Sequence, residues 1–137
     1  KIDFHVLGFT ADEQHRHNRF ITGERDNLLP VLIEAGISKG MCFDILRAAG
    51  IRLPRIYKMG YSNANCIGCD KATSPTYWKH VIKMHPLDFD HRAKQSRDLG
   101  ARLVRVNSKR IFLDELDPSH TGAKMGNFDC GIFCDKY

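Results

Sequence analysis

Four of the five cysteines in this 137-residue sequence form two close pairs. Two residues lie between Cys66 and Cys69, three lie between Cys130 and Cys134, and 60 residues separate the pairs. Four thiolates complete the tetrahedral shell of a zinc ion, and they also hold an iron–sulfur cluster such as 4Fe–4S. Because thiolates suit both, the residues predict one shared four-cysteine site without choosing between zinc and a cluster.

Three other interpretations of these cysteines stay open, namely a redox dithiol at Cys66 and Cys69, a disulfide between the pairs, and unrelated thiols. A thioredoxin-like dithiol lies at a helix N-terminus directly after a strand. Here five residues lie between Cys69 and Pro75, where the next helix is predicted to begin. The fifth cysteine, Cys42, falls on the apolar face of a predicted helix, where a thiol usually acts as a small core residue.

A possible anion site follows the first cysteine pair. Ser74 and Pro75 are residue types preferred at the N-cap and the first position of a helix. The unpaired amides and the positive dipole end of a helix attract phosphate. Four side chains near this start carry hydroxyl or ammonium donors and are the predicted nucleotide-binding residues: Lys71, Ser74, Thr76 and Lys79.

The net charge of +5 is unevenly distributed along the sequence. From His91 to Arg110 there are seven Lys or Arg residues and one Asp. Such a stretch is usually a solvated surface, but it could also contact the phosphates of DNA or RNA through residues 92–110. A metal-stabilised nucleic-acid-binding module is therefore the alternative function.

The elements that must position these residues alternate between strand and helix patterns. A buried strand is predicted over Lys1–Phe9, and the capping-box pattern from Thr10 to Glu13 predicts a helix to Ile21. Further predicted elements are a helix from Ser38 to Gly50, the helix that begins at Pro75, a helix from Pro86 to Leu99, and a β-hairpin over Leu103–Leu113. A polar tail, residues 114–127, then leads to the second cysteine pair. We expect one mixed α/β domain over residues 1–137, with the tail clipped back by the metal.

No apolar run approaches the ~18 residues that a membrane-spanning helix needs. We therefore expect a cytoplasmic protein without a membrane partner.

Several stretches of the sequence resemble a known family. They are "HVLGFTADEQHRHNRF", "LPRIYKMGYSNANCIGCDKA", "YWKHVIK", "LDELDP" and "CGIFC". Together they resemble the C-terminal half of phosphoadenosine phosphosulfate reductase-like proteins of the adenine nucleotide alpha hydrolase superfamily, especially the versions carried by bacteriophages and prophages.

The resemblance implies the C-terminal part of a doubly wound α/β fold that binds an adenine nucleotide. It implies oxidoreductase or sulfur-transfer chemistry on a sulfonucleotide, and Cys66, Cys69, Cys130 and Cys134 as ligands of zinc or an iron–sulfur cluster. The family's serine- and glycine-rich phosphate loop has no counterpart in these residues, so an N-terminal segment or another chain would supply it. Whether this chain alone is an enzyme, and which residue is catalytic, stays open.

Overall fold

The computed structural model describes residues 3–23 and 27–122, and these residues form short strands, α-helices and 3₁₀ turns. The strands are β1 (His5–Val6), β2 (Leu28–Leu29), β3 (Val104–Val106) and β4 (Lys109–Ile111). The helices are α1 (Gln14–Gly23), α2 (Val31–Glu34), α3 (Lys39–Ala48), α4 (Arg55–Lys58), α5 (Pro75–Met84) and α6 (Pro86–Asp98). The 3₁₀ turns are Ala11–Glu13 and Leu113–Glu115. The mixed α/β class is confirmed at this level.

Within the described ranges, no helix has the length and apolar character needed to cross a membrane.

The chain divides into two compact units, Lys1–Leu53 and Pro54–Tyr137. Compact units of this size occur both as lobes of one domain and as separate domains. A single domain over residues 1–137 therefore stays a prediction.

The first unit contains a parallel strand pair. His5 lies opposite Leu28 and Val6 opposite Leu29 in β1 and β2. The expectation of a buried first strand is wrong for the described part of Lys1–Phe9, because Phe4 is 63% exposed and Val6 is 59% exposed. A strand pair of two residues each leaves much of its surface uncovered, whereas larger parallel sheets are covered on both faces.

The helix starts and stops of the first unit follow local capping rules. The Glu13 carboxylate accepts a hydrogen bond from the Thr10 amide at 3.2 Å, so the predicted capping box is present. The first turn after Thr10 is 3₁₀, and α1 follows it. Ser38 Oγ accepts from the Met41 amide at 3.2 Å at the start of α3, and Gly50, with φ of +71°, follows its end. Cys42, predicted in the core, is partly exposed on α3.

The second unit has a core formed by α5, α6 and the β3–β4 hairpin. Its fully buried side chains include Trp78, Val81, Val104 and Leu113. The Trp78 Nε1 donates to the Ala72 carbonyl at 2.7 Å, so this buried indole has a hydrogen-bond partner. The predicted helix start at Pro75 is confirmed, and Ile82 on the same helix is 38% exposed.

The predicted hairpin is also present in this unit. Strand β3 pairs antiparallel with β4, with Val104 opposite Ile111. The turn residues Asn107 and Ser108 both have positive φ, 47° and 66°, as a two-residue hairpin turn requires.

Candidate metal-binding site

The first cysteine pair lies on a tight loop of the second unit, residues 66–69, which we call the cysteine turn. Gly68 has a φ of +66°, a conformation that favours glycine. A methyl group added at Gly68 would lie 3.1 Å from Arg92 Cγ and 3.7 Å from Trp78 Cζ3. Cys66 is exposed, whereas Cys69 is 6% exposed. The turn therefore packs tightly on one side and presents one thiol to solvent.

Tyr77, in the first turn of α5, connects the two ends of the cysteine turn. Its hydroxyl accepts a hydrogen bond from the Cys69 amide at 3.3 Å and donates to the Cys66 carbonyl at 3.2 Å. Burial raises the pKa of Tyr77 above its ordinary value, and the phenol, which is protonated at neutral pH in either case, can donate this hydrogen bond. Sequence reasoning did not assign this role to Tyr77, because a single hydroxyl carries no periodic signal.

The position of the cysteine turn relative to α5 differs from that of a dithiol of the thioredoxin type. Among residues 3–23 and 27–122, Cys42, Cys66 and Cys69 take part in no disulfide. The cysteine turn precedes α5 rather than forming its N-terminus, so the first amides of the helix do not belong to it. The Cys69 thiol lies 3.8 Å from a carboxylate oxygen of Asp70, close enough for a weak hydrogen bond.

The second cysteine pair, Cys130 and Cys134, lies outside the described residues. In the part of the chain that the structure describes, no three His, Cys, Asp or Glu side chains are grouped so that they could hold a metal ion. The shared four-cysteine site therefore stays a prediction, with two of its four ligands placed on one turn.

A segment that leads toward the second cysteine pair crosses the start of α5. We call residues 117–122 the C-terminal strap. Thr76 Oγ1 donates to the Gly122 carbonyl at 3.2 Å, and the Lys79 ammonium donates to the carbonyls of Pro118 and His120. A methyl group added at Gly122 would lie only 2.6 Å from Pro75 Cδ. The strap is thus fastened to the helix end that also carries Tyr77.

These contacts give a specific environment to the predicted phosphate ligands. Ser74 is the N-cap of α5, and Thr76 and Lys79 follow in its first turns. The donors of Thr76 and Lys79 are directed at main-chain carbonyls of the strap. Lys71 lies two residues beyond Cys69 and is partly exposed. Nucleotide binding by these four residues stays a prediction, and two of them have another role in the chain itself.

A cluster of aromatic and histidine rings lies beside Tyr77 and was not expected from the sequence. The Tyr61 ring centroid lies 6.1 Å from that of Tyr77, 4.5 Å from that of His80 and 5.9 Å from that of His85. Burial raises the pKa of Tyr61 to about 12. Among the described residues, neither the Tyr61 hydroxyl nor His85 Nε2 has a hydrogen-bond partner. The one sequence feature that could have indicated the cluster is a glycine at position 60. A methyl group there would lie 3.3 Å from His80 Cε1.

Part of the basic stretch is engaged in contacts within the chain. Arg97 pairs with Asp114 at 2.8 Å and with Glu115 at 3.0 Å, and its guanidinium lies 4.0 Å from the centroid of the Phe112 ring. Arg102 lies 5.1 Å from the same ring. The predicted nucleic-acid contact through residues 92–110 stays a prediction, and Arg97 is a poor candidate for it because its charge already has two partners.

No protein-family model, curated protein or solved structure matches this chain. The resemblance to phosphosulfate reductase-like proteins therefore stays a prediction.

Proposed function

We propose that this chain binds zinc or a 4Fe–4S cluster through Cys66, Cys69, Cys130 and Cys134. We further propose that it serves sulfonucleotide reduction or sulfur transfer with an adenine nucleotide, as the C-terminal part of a doubly wound α/β protein. The observation that carries the metal proposal is that the cysteine turn and the C-terminal strap are both hydrogen-bonded to side chains in the first turns of α5.

The length of the chain permits the two cysteine pairs to meet. The Gly122 carbonyl accepts a hydrogen bond from the Thr76 hydroxyl. Thr76 is the sequence neighbour of Tyr77, whose hydroxyl is hydrogen-bonded to the cysteine turn. Cys130 follows Gly122 by eight residues. Eight residues span at most about 29 Å when fully extended. A reach of this size is enough to allow Cys130 to approach Cys66 and Cys69.

The residues of the cysteine turn fit a metal ligand pair. Cys66 and Cys69 are separated by the two-residue spacing common in zinc and iron–sulfur sites, and the positive φ of Gly68 allows the chain to reverse between them. A bound zinc ion would stabilise the tail by cross-linking it to the turn, and a cluster would in addition carry electrons.

The nucleotide part of the proposal depends on the sequence resemblance. One further observation supports a larger doubly wound sheet. Phe4, Val6 and Leu29 are exposed apolar residues of the β1–β2 region, and parallel sheets normally have both faces covered by other elements. Additional strands and helices, including the segment or chain with the phosphate loop, would cover them.

Metal analysis of anaerobically purified protein tests the site. We expect either about one zinc per chain in a colourless protein or iron with broad visible absorption. Cys66→Ser and Cys134→Ser should each release most of the metal, because a lost thiolate leaves an incomplete shell. Cys42→Ser is the matched control and should keep the full metal content. Unchanged metal in both ligand variants would contradict the assignment.

Binding to immobilised adenosine phosphates tests the nucleotide proposal. We expect retention of the metal-loaded chain on the resin, or of its complex with the polypeptide that supplies the phosphate loop. Retention on DNA that falls steeply with added salt, without retention on the adenosine phosphates, would favour the nucleic-acid-binding module instead.

A further inference from the structure

We infer that Tyr77 is a positioning residue for the metal site, whose hydroxyl holds the cysteine turn in its ligating shape before the metal binds. This inference rests on the proposed metal function of Cys66 and Cys69. It adds a residue that is not itself a ligand and that acts through the main chain of the ligands.

The geometry explains how one hydroxyl can hold two ligands. Tyr77 Oη accepts from the Cys69 amide at 3.3 Å and donates to the Cys66 carbonyl at 3.2 Å. These two groups flank the turn on opposite sides of Gly68. Because one oxygen is hydrogen-bonded to both the Cys69 amide and the Cys66 carbonyl, the distance between these two groups cannot exceed what a single hydroxyl can bridge. The distance between the Cβ atoms of Cys66 and Cys69 is restricted as a result.

The hydroxyl is itself held in place by the core. Tyr77 is 3% exposed, and its ring contacts Trp78 and Tyr61 edge-on, with centroid distances of 5.4 Å and 6.1 Å. Trp78 is fully buried and bonded to Ala72, so the neighbouring ring cannot shift easily. The position of the cysteine turn is therefore set by the packing of α5.

Preorganisation of this kind should appear in metal affinity. Groups that orient metal ligands without touching the metal typically increase metal affinity by about 10- to 100-fold. Loss of the Tyr77 hydroxyl leaves the buried Cys69 amide and the partly buried Cys66 carbonyl to find new partners, and the turn gains freedom that the metal must then remove.

Tyr77→Phe and its neighbour Tyr61→Phe provide a matched pair for the test. Each removes one hydroxyl from the same ring cluster, but that of Tyr77 is hydrogen-bonded to the cysteine turn, whereas that of Tyr61 has no hydrogen-bond partner among the described residues. The full chain is stripped of metal, and Zn²⁺ affinity is measured by competition with a chromophoric chelator. We expect Tyr77→Phe to bind Zn²⁺ roughly 10- to 100-fold more weakly and Tyr61→Phe to bind as the wild type does.

Two further measurements separate positioning from general stability. Co²⁺ in place of Zn²⁺ should show a weakened or shifted thiolate absorption band in Tyr77→Phe. Thermal unfolding of the metal-free protein should change much less in this variant than unfolding of the Zn²⁺-bound protein. Equal losses in both states would overturn the inference, and so would equal Zn²⁺ affinity of Tyr77→Phe and wild type.

A measurement on the wild type keeps the test independent of how the variant folds. The Cys69 amide should be protected from hydrogen exchange in the metal-free protein, because it donates to Tyr77. Exchange at the rate of an unprotected amide would overturn the inference. A wild-type protein whose cysteine thiolates bind neither Zn²⁺ nor an iron–sulfur cluster would instead overturn the proposed function on which the inference rests.

Discussion

At the scale of single residues, Gly68 is the position that most directly controls the cysteine turn. It combines a left-handed backbone conformation with close packing, since an added methyl group would lie 3.1 Å from Arg92 Cγ. Gly100 has nearly the same φ, +67°, but an added methyl group there would meet nothing within 4 Å. The two glycines thus share the left-handed backbone conformation, but only Gly68 is also closely packed.

Gly68→Ala should therefore destabilise the protein more than Gly100→Ala does. Both variants force a side chain into the left-handed region, which costs about 1–2 kcal/mol. Gly68→Ala must in addition displace the stem of Arg92 and shift the cysteine turn, so it should also weaken Zn²⁺ binding. Chemical denaturation and Zn²⁺ competition on both variants provide the measurement. Equal stability and equal Zn²⁺ affinity of the two variants would show that the contact with Arg92 is unimportant.

At the scale of elements, α5 organises the second unit because its faces have different partners. Trp78 and Val81 are fully buried in the core, and Tyr77 holds the cysteine turn. Thr76 and Lys79 hold the C-terminal strap. A helix of 3.6 residues per turn presents successive side chains about 100° apart, which is why adjacent residues can serve the core, the turn and the strap. Its interior packing thereby positions the cysteine turn and the C-terminal strap.

Lys79→Met should loosen the C-terminal strap. The ammonium of Lys79 donates to two carbonyls of the strap, and a methionine keeps most of the apolar stem without the donors. We expect roughly fivefold faster amide exchange in residues 117–122, corresponding to about 1 kcal/mol for a partly exposed charged hydrogen bond. Lys83→Met, an exposed position near the end of the same helix, is the control and should leave this exchange unchanged.

The same pair of variants tests the alternative role of Lys79 as a phosphate ligand. If Lys79 binds phosphate and does not fasten the strap, Lys79→Met will reduce retention on immobilised adenosine phosphates while exchange in residues 117–122 stays as in the wild type. That result would contradict the role inferred from the hydrogen bonds.

At the scale of the whole molecule, all four proposed ligands belong to the second compact unit, Pro54–Tyr137. The first unit, Lys1–Leu53, contributes none of them. Among the described residues of this unit, the exposed large apolar ones are Phe4, Val6, Ile21, Leu29, Val31, Met41, Ile45 and Ile51. The metal proposal and the proposal of a larger sheet thus concern different units and can fail independently.

Removal of the metal should therefore act on the second unit only. Treatment with a strong chelator is expected to increase amide exchange in the cysteine turn and the C-terminal strap, because both lose their cross-link. Amides of α3, in the first unit, should exchange as before. Hydrogen exchange followed by mass spectrometry makes the comparison within one sample. An equal increase in α3 would contradict the placement of the metal in the second unit.

The sequence by itself determined the features that local rules control. Thr10 with Glu13, Ser38, and Ser74 with Pro75 placed the starts of three helical segments, because capping depends on residues within one turn. The hairpin was predicted from its two apolar runs and the turn between them. The same rules could not give the exposure of Val6 or Ile82, since burial depends on which elements pack against a face.

The tertiary structure alone decided which contacts hold the cysteine turn and the C-terminal strap. Nothing in the spacing of residues indicates that the Tyr77 hydroxyl bridges Cys66 and Cys69, that Arg92 covers Gly68, or that Lys79 binds the carbonyls of the strap. These contacts join residues that lie 8 to 41 positions apart along the chain, and each forms only where a helix face meets a loop. Composition and spacing indicate which side chains could bind a metal, whereas the contacts that hold the cysteine turn follow from the packing of α5 in the core.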